Sequence, residues 1–309
     1  MSQNTIRRAL PILMTGALLC APAALLGGCF GGDEAAGSSP AAAITSAISG
    51  NTTEHKANAL APYIEATNGY NGFIITFDYA ITPSLEKMRS GTRQTSISLP
   101  HFTDLQKGLE EARAEPGSTG VYEDIDEKAD AVLAILKDLA PLSEKMNAYY
   151  SSKGYMADDY AAAAQMTAQY LPLYDAFDAA YDALDAVVTA HHREVQQAQL
   201  EDLRKDGRTN AANFLALNLK ARELIEMTSA DTIDKAAAEA KITEINELAA
   251  QLPDIPALGS YRSNLNRFIG TFRTYAAGSE DGIEVIDDFN DLVSASNRVD
   301  LNDLDAAKK

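Results

Sequence analysis

Three long stripes of apolar residues, each advancing in alternating steps of three and four, constrain this chain more than any other feature. The first runs through Leu60, Tyr63, Thr67, Tyr70, Ile74, Phe77, Ile81 and Met88, with Ser84 as a polar gap. The second takes Tyr122, Ile125, Ala129, Val132, Leu136, Leu139, Met146 and Tyr150, with Ser143 as its gap. The third and longest joins Tyr160, Ala163, Thr167, Tyr170, Tyr174, Phe177, Tyr181, Leu184, Val188, His191 and Val195. An α-helix returns a side chain to the same face every 3.6 residues, so these stripes are the seams of helices packed at shallow angles, as in coiled coils. No window alternates with the period of a half-buried strand. The expected class is all-α: an elongated antiparallel helical bundle with long heptad-patterned helices and shorter C-terminal ones. A straight helix over 157–205 would span about 70 Å, well beyond the roughly 40 Å width of a compact domain of this length. The seams are expected to meet through Ile74 and Phe77, Val132 and Leu136, and Phe177 and Leu184.

Shorter periodic segments follow over 210–227, 231–252, around Tyr261 to Tyr275, and around Ile286 to Val293. Pro116-Gly117, Lys205-Asp206-Gly207, Pro253 with Pro256, and Gly278-Ser279 separate them, as turn-forming residues do. Thr103 with Gln106 has the spacing of a capping box. Pro62 is expected near a first turn. Pro83, Pro141 and Pro172 fall inside periodic runs, where each removes a backbone hydrogen bond. The stripes keep phase across them, so kinked helices are expected, with separate short helices as the alternative.

The N-terminal segment carries an address. Arg7 and Arg8 precede an uncharged apolar run from Ala9 to Leu26, and "LLGGCFGGDE" follows at 25–34. A basic start, an apolar run and small residues at a cut site make a secretory signal. Leu26, Gly27, Gly28 and Cys29 resemble the bacterial lipobox, which implies cleavage before Cys29 and acyl chains on that residue. An uncleaved membrane anchor is the alternative, since about 18 apolar residues reach spanning length. The expected organisation is a lipoprotein signal peptide at 1–28, a lipidated Cys29 with a flexible tether over 29–50, and a single helical domain over 51–309. The tether is rich in Gly, Ser and Ala, and about 20 such residues reach roughly 25 Å. Phe30 stands where an acidic retention residue is absent, which favours the outer over the inner membrane.

Cysteine and charge narrow the chemistry. Of two cysteines, Cys20 leaves with the signal and Cys29 takes lipid, so no disulfide framework is available. Net charge is -18, and removing Arg7 and Arg8 leaves 24 basic against 44 acidic residues, or -20. Such a chain is repelled by phosphate backbones and anionic lipid. Nucleic acid is not an expected partner, and membrane contact should come through the lipid.

Three stretches carry a family resemblance: "KANALAPYIEATN" at 56–68, "YYSSKGYMADDYAAAAQM" at 149–166 and "FNDLVSASNR" at 289–298. Together they resemble the YiiG-like lipoproteins, a bacterial family built on a domain of unknown function. The resemblance implies a mostly helical, lipid-anchored envelope protein and carries over no catalytic residues.

Candidate chemistry is sparse. In "TAHHREV", His191 and Glu194 are three apart on one helical face and could share a metal. His191 also lies on the apolar stripe, so a seam histidine is the favoured expectation, and no metal or cofactor is expected. Seven of the 13 tyrosines fall between Tyr149 and Tyr181. Their rings could meet glycan or peptide, but the helical spacing favours packing. Asp158-Asp159 suits capping at a helix start better than acid–base work. There is no Gly-rich phosphate loop, Cys–His pair or Gly-x-Ser-x-Gly elbow. The expected function is a non-enzymatic scaffold or binding module of the cell envelope, meeting a protein or the cell wall. The alternative is a periplasmic solute- or metal-binding lipoprotein using the His191/Glu194 site.

Overall fold

The computed structural model describes residues 52–230, 232–278 and 282–306. The expected signal peptide, Cys29 and the expected tether lie outside them. Among the described residues every regular element is helical and there is no strand. The helices are α1 (Thr53–Arg89), α2 (Thr103–Ala114), α3 (Glu123–Ser151), α4 (Tyr155–Asp158) and α5 (Ala161–Lys205). They continue as α6 (Thr209–Glu226), α7 (Lys235–Gln251), α8 (Gly259–Ala276), α9 (Gly282–Ser296) and α10 (Leu301–Ala306). The fold is all-α. None of the described helices is long and apolar enough to cross a membrane.

The second stripe is the seam of α3 throughout: every position from Tyr122 to Tyr150, including Ser143, is buried. The first stripe holds except at one place, since Phe77 is 41% exposed. It reaches the edge of the core beside Phe73, 4.8 Å away between ring centroids, and does not join the meeting of the three seams. The third stripe slips phase at both ends. Met166 is buried in place of the expected Thr167, and His192, not His191, lies between Val188 and Val195. The turn of 3.6 residues drifts against a strict three–four count, and over 45 residues the drift is enough to change which neighbour faces in.

Polar gaps in the stripes have a structural cause. Ser84 accepts a hydrogen bond from the Ser98 backbone N–H at 3.0 Å, and Ser143 donates to the Pro100 carbonyl at 3.3 Å. Both gaps are docking points for the same connecting segment, 90–102. Buried backbone groups need partners, and the two serines supply them.

Polar pairs set the helix directions. Along α1, Thr53 meets Asp202, Asn71 meets Asp185, and Arg89 meets Asp175, so α5 runs opposite to α1. Tyr122 donates to the Lys56 carbonyl and Tyr63 to Asp126, so α3 runs with α1. Pro62, Pro83, Pro141 and Pro172 all lie inside their helices. Pro62 is therefore interior, not in a first turn, and none of these prolines ends its helix. Burial on both sides of each site offsets the lost backbone bond. The capping box at Thr103 is not formed: Phe102 stands at the N-cap, and the Gln106 side chain bonds Glu110 instead.

Buried apolar residues form two main clusters. One draws on α1, α2, α3 and α5 from Ala57 to Val195. The other draws on α6 to α10 from Phe214 to Leu304. A small group of Leu200, Ala212 and Leu215 lies where α5 passes into α6.

Candidate functional site

His191 is not a seam residue. It lies at the surface side of α5, with Nε2 2.8 Å from Asp124 Oδ2 and Nδ1 3.2 Å from Glu194 Oε2. Its ring also packs against Tyr122, centroids 4.6 Å apart. Both ring nitrogens thus face carboxylate oxygens, one from Asp124 on α3 and one from Glu194 on α5 itself. Burial raises the Asp124 carboxyl, but the His191 hydrogen bond and charge outweigh it and hold the group below the ordinary carboxylate range. Among the described residues no cluster of three or more His, Cys, Asp or Glu is arranged to hold a metal ion. The Asp124–His191 hydrogen bond ties α3 to α5.

The tyrosine run divides by depth. Tyr170, Tyr174 and Tyr181 are buried along α5, where Tyr181 donates to Asn71 Oδ1 at 2.6 Å. Tyr149, Tyr155 and Tyr160 instead gather half-buried at the α3–α5 corner, against the buried Tyr150. Tyr155 and Tyr160 stack at 5.1 Å, 20° from parallel, and Arg93 lies 5.0 Å from the Tyr160 centroid on a cation–π contact. Arg93 also forks onto both carboxylate oxygens of Asp159, at 2.7 and 3.2 Å.

The backbone at this corner is unusual. Lys153, Asp159 and Tyr160 all have positive φ, at 57°, 49° and 69°. A bulky residue in the left-handed region costs energy that surrounding contacts must offset. Asp158 supplies them: it accepts from the Tyr160 and Ala162 backbone N–H groups, each at 3.1 Å, and from the Tyr149 hydroxyl at 2.6 Å. The Tyr149 hydrogen bond holds its carboxyl below the usual range. Asp158 thus bonds a first-turn N–H of α5 although Tyr160 stands at the N-cap position, whereas Asp159 is the exposed partner of Arg93. Helix α5 starts at Ala161, four residues later than the expected 157, because the left-handed pair at 159–160 separates it from α4.

A family model described as "Protein of unknown function (DUF3829)" matches residues 58–298, which include the corner and most of both apolar clusters. The chain belongs to the DUF3829 family. The uncharacterized protein YiiG of Escherichia coli (strain K12) is 23% identical over 205 residues. That similarity covers 63% of this chain and 58% of the relative, so the chain spans less than two thirds of that protein's length. No solved structure matches. The DUF3829 description names no activity.

Sequence reasoning missed two features of this DUF3829 chain. One is Arg93, in a polar non-periodic segment whose role depends on a residue 66 positions away. The other is a buried polar cluster between α5 and α6, where His192 is 1% exposed and Arg222 5%. Arg222 Nη1 donates to Gln196 Oε1 at 2.8 Å and lies 3.3 Å from His192 Nδ1. Glu226 is shared by Arg193 and Arg222. Burial, with Arg222 and Arg193 nearby, pushes the His192 pKa down to about 3, and burial pulls the Arg222 guanidinium to about 10. A buried arginine in "LKARELIE" follows from no apolar pattern, because His192 and Gln196, which meet its Nη1, come from another helix.

A cleft of about 350 Å³ also lies between α1 and α2, over Ala66, Gly69 and Gly108. Its rim holds Glu65, Asp104 and Glu111, and Lys107 is already paired with Glu111 at 3.6 Å.

Proposed function

We propose that this protein is a non-enzymatic binding module of the bacterial envelope, held to the membrane by lipid on Cys29 and facing the periplasm. The Leu26-Gly27-Gly28-Cys29 motif after an uncharged apolar run carries this reading. The helical arrangement supports it in a second way. Thr53, where the tether joins, is bonded to Asp202 at one end of α1, and the tyrosine corner adjoins Arg93 just beyond the other end. An α1 of 37 residues separates the two by about 55 Å. A tether at one end therefore offers the corner outward, away from the lipid. The net charge of -18 disfavours phosphate polymers and anionic lipid surfaces as ligands. Outer-membrane residence fits the absence of an acidic residue at Phe30.

Fractionation tests the anchor. Cys29→Ala should leave an unprocessed precursor or release the protein from membranes, and metabolic labelling with a fatty-acid probe should disappear. A Cys29→Ala protein that is processed and sediments with membranes like the parent would refute the lipoprotein reading.

A further inference from the structure

Resting on the reading of an envelope binding module, we infer that the cleft between α1 and α2 binds a small linear polyamine, an aliphatic chain with an ammonium group at each end.

Shape comes first. The cleft holds about 350 Å³, at the lower end of the roughly 300–1,000 Å³ of small-molecule sites. Helices α1 and α2 run in opposite directions beside it, since the Tyr70 ring stacks on Phe102 while Ala66 meets Gly108. Each helix gives one face to the cleft: Glu65, Ala66 and Gly69 from α1, and Asp104, Lys107, Gly108 and Glu111 from α2. Positions three and four apart share a helical face, so the cleft is a trough along the pair. Its floor is small and apolar. At Gly108 the crossing is closed, because a Cβ there would lie 2.9 Å from the Ala66 Cβ. At Gly69 a Cβ would meet nothing within 4 Å, so the space over it is open.

Charge selects the occupant. Three carboxylates and one ammonium line the trough, which leaves two negative charges. Lys107 and Glu111 pair at 3.6 Å with side chains 71% and 66% exposed. Glu65 and Asp104 have no hydrogen bond or ion pair with any described residue. In a chain of net charge -18, the surrounding field also favours a cation. A compact metal ion lacks ligands, because no three His, Cys, Asp or Glu among the described residues are grouped to hold one. The carboxylates are instead spread out. Asp104 and Glu111 stand two turns apart on α2, about 10 Å at 1.5 Å per residue, with Glu65 on the facing wall. Separated carboxylates over an apolar floor match separated ammonium groups joined by methylenes. The methylenes would lie on the floor with the ammonium groups at the wet rim, as a lysine stem does on apolar surface.

The test uses the full mature chain carrying Cys29→Ala and calorimetry with spermidine at about 0.15 M salt, which screens diffuse attraction to an acidic surface. One spermidine should bind per chain. Gly69→Leu, which fills the open floor and leaves every charge in place, should weaken binding at least tenfold in Kd. Glu65→Gln and Asp104→Asn should each weaken it at least threefold. Asp138→Asn, at an exposed carboxylate of α3, should bind like the parent. A singly acetylated spermidine, which lacks one end charge, should bind at least threefold more weakly, and excess magnesium should not displace the parent ligand. Circular dichroism melts confirm that Gly69→Leu folds, and the two exposed carboxylate variants decide the matter if it does not. A parent without saturable one-to-one binding overturns the assignment, as do cleft variants that bind like the parent. Asp138→Asn as weak as the cleft variants would mark diffuse charge and overturn it too. Displacement by magnesium would give the cleft to a metal, and binding of trilysine without spermidine would give it to a protein partner; either result sinks the polyamine. Cys29→Ala fractionation reads the anchor separately, so a polyamine failure with intact anchoring leaves the envelope reading standing.

Discussion

At the scale of single residues, the third stripe shows how far a sequence pattern carries. Val188 and Val195 were legible as buried, and the chain had to place one residue between them on the core side. A step of three selects His191 and a step of four selects His192; both satisfy the spacing, and only the packing of α6 against α5 decides. The chosen residue, His192, titrates in a way that stability should report. Its unfolded imidazole takes up a proton near the ordinary 6.5, whereas the folded ring, facing Arg222 and Arg193 in a buried site, stays neutral to about 3. Because the unfolded state binds the extra proton, stability is full above pH 6.5 and falls as pH drops through that window. Between pH 7 and 5 the loss from this group alone is about 2 kcal/mol. Urea denaturation of the parent and of His192→Gln at both values checks it. The variant should lose about that much less than the parent between the two, and parallel profiles would remove His192 as the cause.

At the scale of elements, the long helices were legible because their seams repeat over many turns, so one misplaced residue does not change the assignment. Ends were not, because their polar groups choose among competing partners, some within the helix and some from other elements. The capping box at Thr103 failed when the side chain of Gln106 bonded Glu110, and α5 began late because Asp158, Tyr149 and Arg93 together hold a left-handed pair. The α1–α2 crossing is another such contact. A Cβ on Gly108 would lie 2.9 Å from the Ala66 Cβ and 3.3 Å from its Cα, so only glycine lets these helices approach as they do. Gly270, inside α8, faces open space. Alanine at an unhindered helix interior gains about 0.5–1 kcal/mol over glycine, so Gly270→Ala should raise stability by that amount. Gly108→Ala should instead lower it by about 1–3 kcal/mol, as overpacking does. Chemical denaturation of both variants measures the contrast. A stabilised Gly108→Ala would show that the two helices can part without cost.

At the scale of the whole molecule, two apolar clusters meet at a joint where a polar, charged group lies beside only the small apolar set of Leu200, Ala212 and Leu215. Residues from Ala57 to Val195 form one cluster and Phe214 to Leu304 the other, while His192, Gln196, Arg222 and Glu226 stand between α5 and α6. The stripes mark each cluster's helices but say nothing of this division, since the third stripe runs on toward the joint without a break. Apolar contact propagates cooperativity, and a polar joint with few apolar contacts propagates it poorly. The two clusters should therefore open as separate units. Phe177, 1% exposed between Tyr70 and Phe102, sits at the centre of the first, and its truncation to Ala should cost about 3–5 kcal/mol. Phe268, in ring contact with Phe272 and Phe289, holds the matching place in the second. Native-state hydrogen exchange on Phe177→Ala should show lost protection in α1, α3 and α5 with α8 and α9 nearly unchanged, and Phe268→Ala the reverse. Equal loss across both clusters in either variant would mean that the joint transmits packing as well as a core does, and that the chain unfolds as one unit. Parent-like stability in Phe177→Ala would move the fault further back, to the placement of the seam itself.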